Sequence, residues 1–297
     1  VKIALVTVSH APDLARCALL AESVDRFVSS EISHTVVVSR RDHARFAAAL
    51  PARARLAVIE PAWPWPLVEL PRLRLWVSPL GQALPVRGWI LQQLVKLSAP
   101  ELVDADLYVF TDSDVAFVRP LDRTRLVDEA GRALLVRCPN FGSAGRHRAW
   151  QREAARLLGL PDAYTGADYV GNLIPWRRDV LLRLRAHIEQ ATGQPWRRAL
   201  ANTLDLSEYV LYGVYCDRVL GGAEAAGHVA SDRHLCHALW EGPVDDPALA
   251  AHAASLRPDQ VAVLVQSRLG VAPADYARWV RALWETTSPD EMTDRDS

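Results

Sequence analysis

The first sixty residues alternate β-prone apolar runs with amphipathic stretches, and that alternation leaves few architectures open. Val1 to Ser9 reads VKIALVTVS, a strand of buried type. After a loop at residues 10–13, Leu14, Cys17, Ala18, Ala21, Val24 and Val28 recur at helical spacing, with Asp13 as a cap or first-turn acid. Thr35 to Ser39 is a second strand, Asp42 to Leu50 a short helix, and Leu56 to Glu60 a third strand. Strand–helix–strand–helix–strand in this order predicts a mixed, mostly parallel α/β sheet flanked by helices and joined by right-handed crossovers. The first strand of such a sheet is usually central, so Thr7, Ser9 and the loop after them are expected at the ligand-binding edge.

A further apolar run, Leu107 to Phe110, delivers Asp112-Ser113-Asp114. Ligands of α/β sheets bind beyond the carboxyl ends of the strands. A strand ending in two carboxylates therefore offers hard oxygen ligands to a divalent cation and its phosphates. The spacing alone says little, because Asp104/Asp106 and Asp294/Asp296 share it. Only Asp112/Asp114 ends a buried-looking strand.

Composition narrows the function classes. Of 297 residues, 50% are hydrophobic and 23% charged, with a net charge of -1. No global electrostatic case exists for nucleic acid or an acidic membrane as partner. No apolar run nears the roughly 20 residues of a membrane-spanning helix, and residues 3–8 lack the form of a signal peptide. Cys17, Cys138, Cys216 and Cys236 are scattered without a Cys-x-x-Cys pair. That is the pattern of reduced core thiols in a cytoplasmic protein. No glycine-rich phosphate loop, Gly-x-Ser-x-Gly elbow or His-Glu-x-x-His helix is present.

Along the rest of the chain, residues 61–88 are rich in proline and tryptophan, which forbids a long helix. The 61–79 part is expected to be a rigid excursion or an aromatic-lined acceptor loop. Gly88 to Leu97 is an amphipathic helix whose polar positions are Gln92, Gln93 and Lys96. Helices are expected at 123–129, 146–158, 177–192 and 196–201. Another should start near Asp205 or Ser207 and run to about Leu220, followed by helices at 246–255 and 272–284. Strands are expected at 133–137 and 261–266, and a glycine-hinged loop at 168–176. One continuous domain over 1–285 with a disordered tail at 286–297 is the economical organisation.

Four stretches carry a resemblance. They are Gly88-Trp89-Ile90-Leu91-Gln92-Gln93-Leu94-Val95-Lys96-Leu97, Thr111-Asp112-Ser113-Asp114, Ser207-Glu208-Tyr209-Val210-Leu211-Tyr212-Gly213 and Val265-Gln266-Ser267. With the order of elements, they resemble the GT-A fold glycosyltransferases, and more narrowly the bacterial glycosyltransferase-like family DUF6492. The resemblance implies a nucleotide-binding half (1–120), an acceptor half (121–285), and transfer of a sugar from a nucleotide-sugar donor to a small-molecule or glycan acceptor. It implies a divalent cation, Mn²⁺ or Mg²⁺, with Asp114 as direct ligand and Asp112 acting through water or the donor ribose. His237, or failing that His234, would complete the metal shell. Thr7, Ser9, Gln93, Lys96 and Asn172 would meet the donor. Glu208 is the leading catalytic carboxylate and Asp168 its competitor.

Each residue also has a plainer reading. Glu208 beside Ser207 favours a helix start regardless of chemistry, Gln93 and Lys96 would be solvated, Thr7 and Ser9 would cap a strand, and His237 would pack. A non-catalytic nucleotide-sugar-binding protein would keep every binding residue. A haloacid-dehalogenase-type phosphohydrolase also uses Asp-x-Asp after a strand. That strand normally opens the domain, however, and a later Gly-Asp-x-x-x-Asp is absent here.

Overall fold

The computed structural model describes residues 1–60, 68–70, 75–77, 86–139, 145–162 and 164–286. Most of the 61–79 excursion, and all of the expected tail beyond residue 286, lie outside the described residues.

The first half runs β1 (Ile3–Val8), α1 (Leu14–Phe27), β2 (Ile32–Val38), α2 (Arg40–Ala49) and β3 (Ala54–Val58). A small antiparallel sheet of β4 (Val68–Leu70), β5 (Leu75–Val77) and β6 (Val86–Arg87) leads into α3 (Gly88–Leu97) and α4 (Ala99–Leu102). Then come β7 (Leu107–Phe110), β8 (Val115–Phe117), β9 (Ala133–Val136), β10 (Cys138–Pro139), α5 (Arg146–Leu157), β11 (Ala167–Asp168) and β12 (Ile174–Arg177). The chain continues through α6 (Arg178–Thr192), α7 (Trp196–Ala201), α8 (Glu208–Val214), β13 (His228–Ser231) and β14 (Cys236–Leu239). It closes with α9 (Asp246–Ala254), β15 (Ala262–Val265) and α10 (Pro273–Thr286).

The main sheet has the order β12-β7-β1-β2-β3. β1 pairs in parallel with both β2 and β7, β2 with β3, and β12 joins as an antiparallel edge. The mixed, mostly parallel α/β class and the central position of β1 are as the sequence predicts. Side chains alternate across the pleat. Ala4, Val6, Tyr108, Phe110 and Trp176 therefore face one core with α3 and α5 to α8. Ile3, Leu5, Leu107 and Val109 face another with α1, β8, β15 and α10. A second sheet, β14-β15-β8, starts where β7 ends, so residues 111–114 carry the chain from one sheet to the other. Among the described residues, no helix is long and apolar enough to cross a membrane.

Differences from expectation have local causes. Residues 123–129 form only one 3-10 turn, Arg123–Arg125, whose amides are held by Asp122. The helix expected to reach Leu220 leaves α geometry at Val214 and ends in a π-helical turn, Tyr215–Val219. Asp13 stands at the N-cap of α1 without a side-chain capping bond, and its carboxylate pairs with His10 at 3.0 Å. At α8 the cap is Ser207, whose Oγ accepts the Val210 N–H.

Candidate active site

The turn that follows β7, Asp112 to Asp114, is held from several sides. The Asp112 N–H donates to Asn172 Oδ1 at 2.9 Å. The Ser267 N–H, just past β15, donates to Asp114 Oδ2 at 2.9 Å. Between them, Ser113 Oγ donates to Ser9 Oγ at 2.8 Å, which ties the turn to the end of β1. Tyr276 of α10 donates to the Asp114 carbonyl at 2.7 Å. Asp114 is 7% exposed. Burial, then the charge of Asp112, push its carboxyl from 3.8 up to about 6, against the pull of the Ser267 amide and of Arg16.

Helix α3 supplies the countercharge. Its residues Ile90, Leu91, Leu94, Val95 and Leu97 are buried, and so are Gln93 and Lys96. An unpaired lysine in such surroundings costs several kcal/mol, of order ~3–5. Lys96 Nζ instead lies 2.9 Å from Glu208 Oε1, 2.9 Å from Tyr209 Oη and 3.5 Å from Asp112 Oδ1, above the Tyr209 ring. Burial alone would pull its ammonium down, but Glu208, then Tyr209 and Asp112, outweigh that and hold it well above the ordinary lysine value. The solvated reading of Gln93 and Lys96 is overturned.

The Ser207–Gly213 stretch spans the cap of α8 and most of its length. Ser207 caps α8, Glu208 pairs with Lys96, and Tyr209 accepts from Lys96. Tyr212 stacks on Trp176, with ring centroids 4.7 Å apart, and its hydroxyl accepts the Arg177 N–H. Gly213 admits the Tyr169 ring, which a Cβ there would approach to 2.1 Å.

The 168–172 loop meets the aspartate turn through Asn172. Asp168 Oδ1 accepts the Tyr169 and Val170 N–H groups and lies 3.5 Å from His147 Nδ1. Burial raises its carboxyl above the usual range, opposed by His147, the two amides and His234. Gly171 passes so close to His234 that a Cβ would lie 2.8 Å from its Nδ1. His234 Nε2 in turn lies 3.0 Å from Cys138 Sγ. Leu173, with φ 60°, takes a left-handed conformation rare outside glycine. That local strain, of order 1 kcal/mol, accompanies the turn that sets Asn172 against Asp112.

Two expected site residues lie elsewhere. His237 does not join the aspartates, because successive residues of a strand point to opposite faces. On β14 it is Cys236 that turns toward Asp114 and Asp112, whose charges add to burial in pushing its thiol well up. His237 faces α9, its ring stacked on His252 at 4.0 Å and its Nε2 2.9 Å from Ser255 Oγ. His234, the second choice, stands beside Asp168 instead. Thr7 is fully buried and lies against His34, 3.3 Å from Oγ1 to Nε2, away from the ligand edge. Ser9, the residue just past β1, does reach the aspartate turn.

Sequence reasoning missed His147, whose position on α5 carries no motif. It also assigned no role to Tyr209 and Ser267, although both stand inside the quoted stretches.

Among the described residues, no three His, Cys, Asp or Glu side chains are grouped to hold a metal ion. The fit of a cation rests on the donors that are present. Burial, and then the like charge of Asp112, raise the Asp114 carboxyl, and a divalent cation would relieve both the lost solvation and the repulsion between the two carboxylates. Around them, Gln93 Nε2 and Oε1, Thr111 Oγ1, Asn172 Nδ2 and Gln266 Oε1 are buried polar atoms without a hydrogen-bond partner among the described residues. Each such atom costs about 1–3 kcal/mol when left unmatched. The residues suit a polar, anionic ligand carrying a cation.

Comparison with known proteins gives the following. No curated protein matches the chain. Among solved structures, the chain is similar to a crystal structure of an active-site mutant of LgtC, with 14% identity, a TM-score of 0.47, and 99% of this chain and 100% of that one covered. It is also similar to a crystal structure of the galactosyltransferase LgtC with donor and acceptor sugar analogues, at 15% identity, a TM-score of 0.45 and the same coverage. The model of a family of unknown function, DUF6492, matches residues 2–287, and the chain belongs to that family.

Proposed function

We propose that this chain is a metal-dependent glycosyltransferase that moves a sugar from a nucleotide-sugar donor to a small-molecule or glycan acceptor. The observation that carries the reading is the Asp112/Asp114 turn at the carboxyl end of a central strand, faced by the buried Lys96–Glu208 pair 2.9 Å across. In this reading Asp112 and Asp114 hold Mn²⁺ or Mg²⁺, which when bound supplies positive charge to the departing diphosphate. Lys96 adds a second, fixed positive charge beside Asp112. Ser9 and Asn172 line the donor side, with the Asn172 amide N–H₂ free to donate among the described residues.

The two carboxylates of the chemistry divide by environment. Glu208 is clamped 2.9 Å from the Lys96 ammonium, which fixes its place and suits a carboxylate set beside the positive charge developing at the anomeric carbon. Asp168 is raised by burial and stands between imidazoles, which suits a proton acceptor. The bond from the anomeric carbon to the diphosphate oxygen breaks, its electron pair leaving with the diphosphate. The acceptor hydroxyl oxygen bonds to that carbon and its proton passes to Asp168.

The test is thermal unfolding with UDP or GDP. A nucleotide should raise the melting temperature only with Mn²⁺ or Mg²⁺ present, and Asp114→Ala should remove the shift. A shift indifferent to chelator would refute the metal role. A panel of sugar nucleotides, read by released nucleotide, should show slow donor hydrolysis that falls about 10²-fold in Glu208→Gln with nucleotide binding retained. Hydrolysis of none of them would leave a nucleotide-sugar-binding protein.

A further inference from the structure

Trp89, Gln93 and Lys96 stand at i, i+4 and i+7 of α3, a spacing that puts them on one stripe of the helix. Lys96 is the end that meets Asp112 and Glu208. At 1.5 Å per residue, Trp89 lies about 10 Å further along the stripe, and Gln93, 1% exposed with both amide atoms unpartnered, lies between them.

Trp89 is unlike the rest of the helix. It is 51% exposed, while five apolar neighbours are buried. Leaving half an indole in water forfeits much of the stabilisation that burying it would bring. Yet the ring is not loose. Its N–H donates to the Leu206 carbonyl at 3.0 Å, two residues before Glu208. Its plane lies 15° from that of Trp150, with centroids 6.5 Å apart. Trp150 meets His147 edge-on at 4.9 Å, and His147 reaches Asp168. Next to the indole, a Cβ placed on Gly88 would meet nothing within 4 Å. An aromatic face half in solvent, pinned by its own N–H two residues from Glu208 and set beside the Trp150–His147 pair that reaches Asp168, is preorganised for a ligand.

We propose that Trp89 is the floor of an acceptor subsite that takes a hexopyranoside by its C–H face, with Gln93 reading the ring hydroxyls. A β-glucoside, all-equatorial, offers axial C–H groups on both faces and suits a flat indole without a polar clash. The subsite deepens the transferase reading and rests on it for the word acceptor. The donor anchor at Lys96 and the stacking floor at Trp89 would be set about 10 Å apart by one rigid helix.

The test uses the full ¹⁵N-labelled chain and the indole N–H resonances, with Trp89 assigned by its loss in Trp89→Phe. Methyl β-D-glucopyranoside and p-nitrophenyl β-D-glucopyranoside should each shift the Trp89 signal saturably at millimolar concentration. The dissociation constant for both, followed at other shifted resonances, should rise about fivefold in Trp89→Leu, which keeps bulk but loses the π face, and change less in Trp89→Phe. An unmoved Trp89 signal, an unchanged constant in Trp89→Leu, or a response to the nitrophenyl compound alone would each overturn the proposal. The UDP–Mn²⁺ melting shift of the wild-type chain is measured beside it. Its absence with glucoside binding intact would sink the transferase reading and leave a carbohydrate site. Its presence with no glucoside response would sink the subsite alone.

Discussion

The two ends of β7 carry the same triplet in opposite circumstances. Asp104-Ala105-Asp106 precedes the strand and Asp112-Ser113-Asp114 follows it. Each triplet even has one of the chain's two lysines beside it. At the entry, the Asp104 side chain lies in solvent with Lys2 Nζ at 2.5 Å, and Asp106 accepts the Lys2 N–H at 2.8 Å. The Lys2 hydrogen bond and charge hold Asp104 below the usual carboxylate range. At the exit, burial and a like charge push Asp114 the other way, and Lys96 is buried with Glu208. Spacing is common to both ends. What separates them is strand polarity, which puts only the second triplet on the ligand edge, and burial, which makes its charges expensive enough to need a purpose.

The lysines give the largest contrast. Lys96→Ala leaves Glu208 buried without a partner and should destabilise the protein by about 3–5 kcal/mol. Lys2→Ala, at an exposed pair that water screens, should be indistinguishable from wild type. Urea unfolding measures both. The double change Lys96→Met with Glu208→Gln should recover much of the loss, since no lone charge remains. If Lys96→Ala unfolds like Lys2→Ala, the buried pair is not formed in solution and the site as described is wrong.

A smaller effect of opposite sign belongs to Asp114. Its folded value of about 6 lies above the ordinary 3.8, so the folded chain holds that proton more tightly than the unfolded chain does. At pH 7 the ionised carboxylate therefore costs stability, and the cost fades as pH falls through 6 toward 3.8. In chelator, Asp114→Asn should stabilise the protein at pH 7 by on the order of 1–3 kcal/mol, with the gain gone near pH 4. The same variant should lose the Mn²⁺-dependent nucleotide shift, a trade of function against stability. Asp104→Asn should do neither. A metal-free Asp114→Asn protein less stable than wild type at pH 7 would show that the carboxylate is held by more than the Ser267 amide.

How much of this was legible in the sequence varies with distance along the chain. β1, α1, β7 and α3 were readable because their periodicity is local and their apolar faces are clean. Lys96 and Glu208 were each singled out, but not as a pair, because a contact across more than a hundred residues leaves no mark in one sequence. His237 failed for a geometric reason. Which of two adjacent strand residues faces the aspartates depends on the β14–β15–β8 register, in which Cys236, Ala262 and Phe117 are aligned. Thr7 failed for a different reason: it shares a face with Ser9, but it lies inside the strand, two residues earlier, where it packs against His34. Asp168 was legible only as a carboxylate near a Gly-Asn loop. Its neighbours His147 and His234 come from two other segments that the fold alone unites.

The finest distinction between the triplets is the middle residue, Ala105 at the entry and Ser113 at the exit, both nearly buried. Ser113→Ala turns the second triplet into a copy of the first while leaving both carboxylates in place. It removes the hydrogen bond to Ser9 Oγ at 2.8 Å and leaves that hydroxyl short of one partner. The expected cost is about 1 kcal/mol in urea unfolding. Nucleotide affinity in Mn²⁺, read by isothermal titration, should weaken by less than about tenfold, because the serine pair locates the turn while the carboxylates hold the ligand. A Ser113→Ala protein of normal stability that binds no nucleotide would reverse that order. It would make the Ser9–Ser113 bridge, and not the charge of the aspartates, the feature that sets the exit of β7 apart from its entry.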